Sequence, residues 1–533
     1  MSKARAKAAK PPVFKSRRGA DMAALAGGSA YDAADVMSQE LGQWMPQREH
    51  PDSELGAARS VVTARGRDLV RNNGFAAGGV QRETDAVIGA HFRPSARPDW
   101  RALGINQAQA IEIGEQMDAA WRTWADDPMH RADVTRTQGW GGLVGLAYRT
   151  SLVDGDAIAA LHWREEGNNG FRTCLRIVDP DLLSNPNMGP DTPTLRGGIE
   201  FDDWGAPIAY HFRRQHELAM WGWGSSMIWD RWERDHSWGR PQVVHCFERH
   251  RDGQTRGISR LAPVLDALKM QDKHARVELQ AAVLSAILGL FITSSLDSQT
   301  VQDLISDGSY TELDEARRTL ASEKNLTFGG VRIPVLPPGD DINSVSVQRP
   351  ANQYQMFETA VLRRIATGMG MSYEQLAMDW SQVNYSSARA ALVEIWRGFT
   401  ARRLEFSARF CQPIRMAVME EAIDLGLVRL PPGAPGLYDA PAAWLKAKWI
   451  GPGRGFVDPV KEAQASAIRV GLGLSTMEDE AAELSGADYG ENLAQIGREI
   501  EQMPPGVLHP AQEKFATLMG VEGPDMEGRR DDD

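Results

Sequence analysis

The chain is poor in cysteine. Its three thiols, Cys174, Cys246 and Cys411, lie far apart in 533 residues and are odd in number. That spacing offers neither a disulfide framework nor a paired metal motif, and it fits inert thiols in a reducing cytoplasm. No glycine is followed by lysine, so the phosphate-binding loop G-x-x-x-x-G-K-[ST] is missing, and the chain is not expected to be a P-loop ATPase. H-E-x-x-H, G-x-S-x-G and a G-x-G-x-x-G after a strand are also missing. Long apolar runs are lacking. The longest, Ala281 to Ile292, is interrupted by Ser285 and Gly289 and falls short of the ~20 residues that cross a bilayer. No membrane segment is expected. Positive charge is in deficit too, at a net −12. Proteins that grip nucleic acid usually carry a clustered positive surface. An acidic wall repels phosphates and lets DNA slide past. Residues 1–28 are basic without the apolar segment of a secretory signal, and are expected to form a disordered arm.

What is present reads as an ordinary globular chain, 42% hydrophobic and 24% charged, long enough for three or more packed regions. Residues 29–90 carry apolar positions at helical intervals, with a stop at Asn72-Asn73-Gly74. Ala110–Ala125 and Gly142–Leu152 are further helices. At Asp154-Gly155-Asp156 the period becomes two. AIAALHWR, TCLRIVDP, IEFDD and PIAYHFRR then read as short strands of a β-rich region, 154–250. Trp221, Trp223, Trp229, Trp232 and Trp238 crowd a Gly/Ser-rich stretch, as anchors of a loop or subunit interface.

Ser259 is placed to cap a helix with Pro263 in its first turn, running to about Leu290. Val331–Leu336 is strand-like, and its prolines put it at an edge. From Tyr354 to Arg403 a helix is followed by Gly368-Met369-Gly370, where glycines ease a turn. A polar-aromatic loop comes next, Ser372 to Tyr385. Ser386 and Ser387 then start a helix striped with Leu392, Ile395, Trp396, Phe399 and Phe406, which Pro413 should kink. Asp458-Pro459 opens another helix, and Ser475 with Glu478 forms a capping box.

Candidate chemistry is sparse. Gly451-Pro452-Gly453-Arg454-Gly455 could meet a phosphate, but the proline removes a donor and a turn explains it better. His211/His216 and His245/His250 are spaced i to i+5 with no third ligand. Asp202-Asp203 and Asp340-Asp341 are the residues a metal-dependent nuclease would use; adjacent aspartates in a turn usually point apart into solvent. Arg363/Arg364 and Arg402/Arg403 either pair within or between subunits or face a channel. No catalytic residue, metal or cofactor is expected. A scaffold or adaptor without a channel is the third reading.

Three segments carry a family resemblance: HCFERHRDGQTRGISRLAPVL from His245 to Leu265, MGMSYEQLAMDWSQVNYSSARAAL from Met369 to Leu392, and WIGPGRGFVDPVKEAQA from Trp449 to Ala465. With DLVRNNGFAAGGV and SLVDGDAIAAL they cover most of residues 30–500. The chain resembles the lambda-type portal proteins of tailed bacteriophages. The resemblance implies an α+β, multi-region fold assembled as a ring, typically of twelve copies, at one capsid vertex. It implies a wing at 29–258 (helical, then β-rich), a first stem helix at 259–295, a small α/β clip at 296–349 and a second stem helix at 350–368. A tunnel loop at 369–385, a long kinked wing helix with its return segment at 386–457, a helical crown at 458–503 and a disordered tail at 504–533 complete it. Double-stranded DNA would be packaged and ejected through the ring, in the virion and, during assembly, in the host cytoplasm. The implied partners are the terminase large subunit, which hydrolyses ATP, head-completion and connector proteins, and the major capsid protein. Arg363, Arg364, Gln375, Asp379, Gln382 and Asn384 would face the channel. Gly368, Gly370 and Pro413 would act as hinges. Deleting Ser372–Trp380 should then spare assembly and impair DNA packaging.

Overall fold

A computed structural model describes residues 43–165, 170–216, 227–288, 326–328, 331–333, 351–381, 385–456, 458–504 and 509. The chain divides into two units, Met1–Gly56 and Ala57–Asp533. In the described part of the first, Trp44 to His50 form no regular element, and the chain turns helical at Pro51. The core and the contacts lie in the second unit.

Helices and short antiparallel strands alternate. In chain order they are α1 (Pro51–Asn72), α2 (Gly74–Val87), β1 (Arg93–Ala96), α3 (Trp100–Leu103), α4 (Gln107–Ala125) and α5 (Trp140–Asp154). The β-rich part holds β2 (Asp156–Trp163), β3 (Thr173–Val178), β4 (Leu195–Arg196), β5 (Ile199–Phe201), β6 (Pro207–Arg213), β7 (Trp229–Glu233) and β8 (Val243–Phe247). Next are α6 (Leu265–Leu288), β9 (Leu326–Phe328), β10 (Val331–Ile333), α7 (Ala351–Met369), α8 (Tyr373–Ala377) and α9 (Tyr385–Phe406). The rest is α10 (Gln412–Asp424), α11 (Pro441–Trp444), β11 (Ala447–Ile450), α12 (Pro459–Gly471), α13 (Met477–Leu484) and α14 (Tyr489–Gln502). This is the α+β class expected.

Strand β2 organises the middle of the molecule. It is the centre of the antiparallel sheet β3-β2-β8. Side chains alternate across a strand. Ala157, Ala159 and Leu161 therefore enter one core, with α2, α4, α5, α7, α9 and α10, while Ile158 and Ala160 enter a second. That second core lies against the sheet β4-β5-β6-β7, through Ile199, Phe201, Tyr210 and Phe212. Burial on both faces explains why AIAAL is apolar throughout.

The aromatic centre of the larger core is drawn from outside the tryptophan-rich stretch. Trp121 lies 5.0 Å from both Trp124 and Trp140 and 5.8 Å from Trp449. Each of the other three indoles finds an acceptor: Trp124 donates to the Thr173 carbonyl, Trp140 to that of Phe92 and Trp449 to Gln412 Oε1. Such pairing is what permits tryptophan in a core. Trp221 and Trp223 lie outside the described residues. Trp229 and Trp232 sit on strand β7, and the exposed Trp238 donates to Glu420.

Several local expectations shift. Asn73 both ends α1 and caps α2, accepting from the amides of Phe75 and Ala76. Ser259 is buried and does not cap α6; a 3₁₀ turn, Ala262–Val264, intervenes and the helix begins at Leu265. In place of the capping box expected at Ser475 and Glu478, the helix is capped by Thr476, whose hydroxyl accepts from the Asp479 amide. Asp458 caps α12 as expected, accepting from Lys461 N–H. Pro413 produces no break. The distortion falls ahead of it, in a π-helical turn at Ser407–Cys411 closed by the Gln412 amide on the Ser407 carbonyl. Pro413 then occupies the first turn of α10, where a missing N–H costs little. Val331–Ile333 is a strand, paired antiparallel with Leu326–Phe328. Most of 296–349, with Asp340-Asp341, lies outside the described residues.

Candidate functional site

The stretch from α6 to α9 carries the predicted site residues. Helices α6 and α7 lie side by side. His274 stacks on Tyr354 at 5.5 Å and meets Phe357 at 5.0 Å, and Gln271 donates to Glu358. Gly368 is a helical residue of α7, not a turn. A Cβ there would run into Val264, so the glycine permits close approach of α7 to the start of α6. Gly370 does the turning, at φ 70°, and its bare Cα also leaves room for the Arg402 guanidinium.

The predicted tunnel loop contains a short helix, α8. Ser372 accepts from the Gln375 amide and Gln375 Oε1 accepts from that of Ser372, so Gln375 is committed to a reciprocal cap. Leu376 is buried, its carbonyl accepts from Arg82, and Gly79 of α2 gives it space. Deleting Ser372–Trp380 would therefore uncover part of the core, so that deletion does not isolate a channel role. Asp379 accepts from Ser381 N–H and Oγ and from the Tyr373 hydroxyl; the Ser381 bonds hold its carboxyl below the usual range. Arg363 lies over the Tyr373 ring at 5.6 Å, and Arg364 is exposed beside it. Gln382 and Asn384 lie outside the described residues. Of the six, Arg363, Gln375 and Asp379 are brought together around Tyr373 and the α8 turn.

Arg402 and Arg403 are internal fasteners. Arg402 pairs at 2.8 Å with the buried Glu83, which also meets Arg260 at 3.6 Å and accepts from the Tyr148 hydroxyl. Arg403 donates to the carbonyls of Val87, Ala86 and Pro452, and burial lowers it to about 10. The glycine-rich 451–455 turn is thus a structural seat: a Cβ at Gly451 would strike Arg403, and one at Gly453 the Leu484 carbonyl.

Sequence reasoning missed a buried charge centre where the β3-β2-β8 sheet meets the segment leading into α6. Asp156 is fully buried. It accepts from Arg59 at 2.7 Å, Arg256 at 2.8 Å, the Gly257 amide at 2.7 Å and His245 at 3.1 Å. Burial alone would lift its pKa; Arg256 and Arg59 outweigh it and hold the carboxyl far below the usual range. Arg256 also donates to the carbonyls of Leu183, Gly197 and Pro180, fastening the second sheet to the segment that becomes α6. Burial and the neighbouring Arg59 pull Arg256 down to about 10, so it stays charged at neutral pH. The Asp-Gly-Asp step was visible as a change of period, but its partners lie about a hundred residues away.

Several of the other candidate histidines and aspartates are also occupied. His211 meets Glu200 at 2.6 Å, and Asp202 closes its own turn by accepting from the Trp204 and Ala206 amides. Asp179, Asp181 and His216 have ligand atoms within 4.8 Å of one another. The Arg67 guanidinium already binds both aspartates and Asp154, so a cation is supplied from within the chain.

A cleft of about 1000 Å³ separates β1 and α4 from α13 and α14, lined by Arg93, Arg97, Asp118, Arg122, Glu478 and Glu491 among others. Burial lifts Asp118 to about 6, against the Ala96 amide bond and Arg415. With the folded value above the unfolded ~4, stability from this group is complete below pH ~4 and is lost as pH rises through ~6. Asp118→Asn, which keeps an acceptor for Ala96, is expected to flatten that slope and to add about 1–2 kcal/mol at pH 7.5, as read by urea denaturation.

The described residues thus combine two larger antiparallel sheets, β3-β2-β8 and β4-β5-β6-β7, with paired helices and a glycine turn, an α+β architecture. The model of the family described as "Phage portal protein, lambda family" matches residues 38–403, well over half of the chain, and the chain belongs to that family. It is 36% identical over 493 residues to the portal protein of Escherichia phage N15, covering 91% of this chain and 92% of that one. It is 34% identical over 501 residues to portal protein B of Escherichia phage lambda, covering 92% and 93%. Among solved structures, a chain from the neck of a native gene transfer agent particle, computed with C12 symmetry, aligns with a TM-score of 0.37 and 14% identity, over 79% of this chain and 97% of that one.

Proposed function

We propose that copies of this chain form a closed ring, expected to hold twelve, at one capsid vertex, and that double-stranded DNA enters and leaves through its centre. One observation carries the ring. The paired helices α6 and α7 use His274, Tyr354 and Gln271 against each other, yet leave Met270, Val277, Leu279, Val283 and Met356 exposed. Apolar surface on both helices of a pair is what a neighbouring copy would cover. Membership of the portal family supports the conduit. The net charge of −12 suits passage without adhesion, since every axis-facing charge is repeated by each copy. The terminase large subunit, which would supply ATP hydrolysis, and the head-completion proteins would dock on 296–349; the major capsid protein would surround the ring. Arg363 and Arg364, both exposed, are the first channel candidates.

Electron microscopy of the purified full chain tests this. The expected result is rings with a hole wide enough for a duplex. Monomers that cleave DNA when a divalent metal is added would instead favour the nuclease reading. Closed rings too narrow for DNA in every state would favour a scaffold.

A further inference from the structure

Of the helices of residues 458–503, α12 sits on its own chain the wrong way round, and α14 does so in part. Helix α12 turns Glu462, which is buried, and Arg469 inward; Arg469 pairs with Glu480 at 2.5 Å, and Glu462 faces Arg454 at 3.8 Å. Its aliphatic residues point out. Val460, Ile468, Leu472 and Leu474, on the helix and the turn that follows, are between 61 and 74% exposed. Helix α14 repeats the arrangement in part. Glu491, Gln495 and Arg498 line the cleft toward β1 and α4, and Glu491 pairs with Arg93 at 2.7 Å. At 3.6 residues per turn, Leu493, Ile496 and Ile500 share the opposite face. No residue of α14 is fully buried; Leu493 is 49% exposed, and Ile496 and Ile500 are half-buried. Helix α13 adds ion pairs to the β1–β11 sheet and its flank, Arg97 to Glu478 and Lys448 to Asp479, and also buries Ala482 and Leu484, while the Arg454 amide donates to the Glu483 carbonyl. A surface helix of a globular protein normally buries its apolar stripe and exposes its charges.

We propose that these two apolar faces are the contact between neighbouring copies: the α12 face of one chain packs on the α14 stripe of the next. The proposal rests on the ring reading and assigns its crown contact. A closing ring is heterologous, so it needs two different surfaces on each chain, and here one small region presents two. Both α12 and α14 are tied to their own chain mainly by charges, so their apolar faces remain available to the next copy. In continuity with this, α6 and α7 also expose apolar residues on the same chain. Each crown would then be fixed more firmly to its neighbours than to its own chain, because surface ion pairs contribute little.

The test compares full-length monomers and rings, separated by sedimentation, by amide hydrogen exchange. In wild-type rings the amides of 459–471 and 489–502 are expected to exchange roughly tenfold or more slowly than in monomers. Ile468→Glu with Leu472→Glu should abolish that protection while rings persist. Ala467→Cys with Leu493→Cys should give a ladder of oxidised oligomers on a denaturing gel, because the native thiols are all buried. Equal exchange in wild-type rings and monomers would overturn the proposal, as would full protection in the glutamate variant. Protection already present in the monomer and lost on deleting 505–533 would also overturn it, since the chain's own end would then be the cover. If the wild type forms no rings at all, the ring reading itself fails and this contact falls with it.

Discussion

Asp156→Ala is expected to destabilise the protein by about 3–5 kcal/mol, the usual result of stranding a buried charge. Arg256 has no exit to solvent. Its guanidinium is held among the carbonyls of Pro180, Leu183 and Gly197, and without Asp156 its charge would remain buried without the carboxylate that pairs with it. Arg59 and the Gly257 amide would lose the same acceptor. Removing both charges, as Asp156→Ala with Arg256→Met, should recover much of the loss, because two well-packed apolar groups need no compensation. Equilibrium denaturation of the three variants measures this. A double variant no more stable than the single one would show that Arg256 matters for its carbonyl contacts and not for its charge.

The same centre fixes an acid limit. Asp156 has a folded pKa far below its unfolded value, so its contribution is complete at neutral pH and above, and is lost as pH falls below ~4 toward the folded value. Below pH ~4 the wild type should lose stability more steeply than Asp156→Ala. Parallel curves there would mean that other carboxylates govern acid unfolding.

Gly257→Ala is the second large effect, expected to exceed ~3 kcal/mol. Two backbones cross at this point. A Cβ on Gly257 would fall on the Gly155 carbonyl and within 2.9 Å of Phe247 Cβ. Gly155 itself stands at φ 92°, with Gly257 and Ile258 backbone atoms 2.5 Å from where its own Cβ would be. Backbone cannot swing aside as a side chain does. Gly368→Ala, which meets only the Val264 side chain, should therefore cost less. Gly398→Ala, in mid-helix with nothing within 4 Å, should stabilise by about 0.5–1 kcal/mol. Thermal melts in that order test the ranking. A Gly257→Ala protein melting with the wild type would mean that the crossing relaxes freely.

Most elements were legible because their causes are local. The period change at Asp154-Gly155-Asp156 marked the passage from α5 to β2, and Asp458-Pro459 marked the start of α12. The boundaries that moved depend on contacts from elsewhere. Ser259 has the right chemistry for a cap, but it is drawn inward, where its hydroxyl reaches the Leu152 carbonyl and the Leu261 amide. Gly368 read as a pivot because glycine eases turning, but glycine also permits close approach, and only Val264 decides between the two. Gln375 read as a loop polar group until Ser372 gave it a partner.

The amino-acid sequence by itself determined the class of helices and antiparallel strands and the family. Each follows from patterns within a few dozen residues or from long ordered matches. Only the tertiary structure decided which charges are spent inside the chain. Arg402 goes to Glu83, Arg403 to three carbonyls, and Asp156 to two arginines and a histidine. It also decided that α12 turns its apolar face away from its own chain and that Leu493 of α14 stays exposed. A helix pattern specifies which residues share a face; the rest of the fold specifies what that face meets.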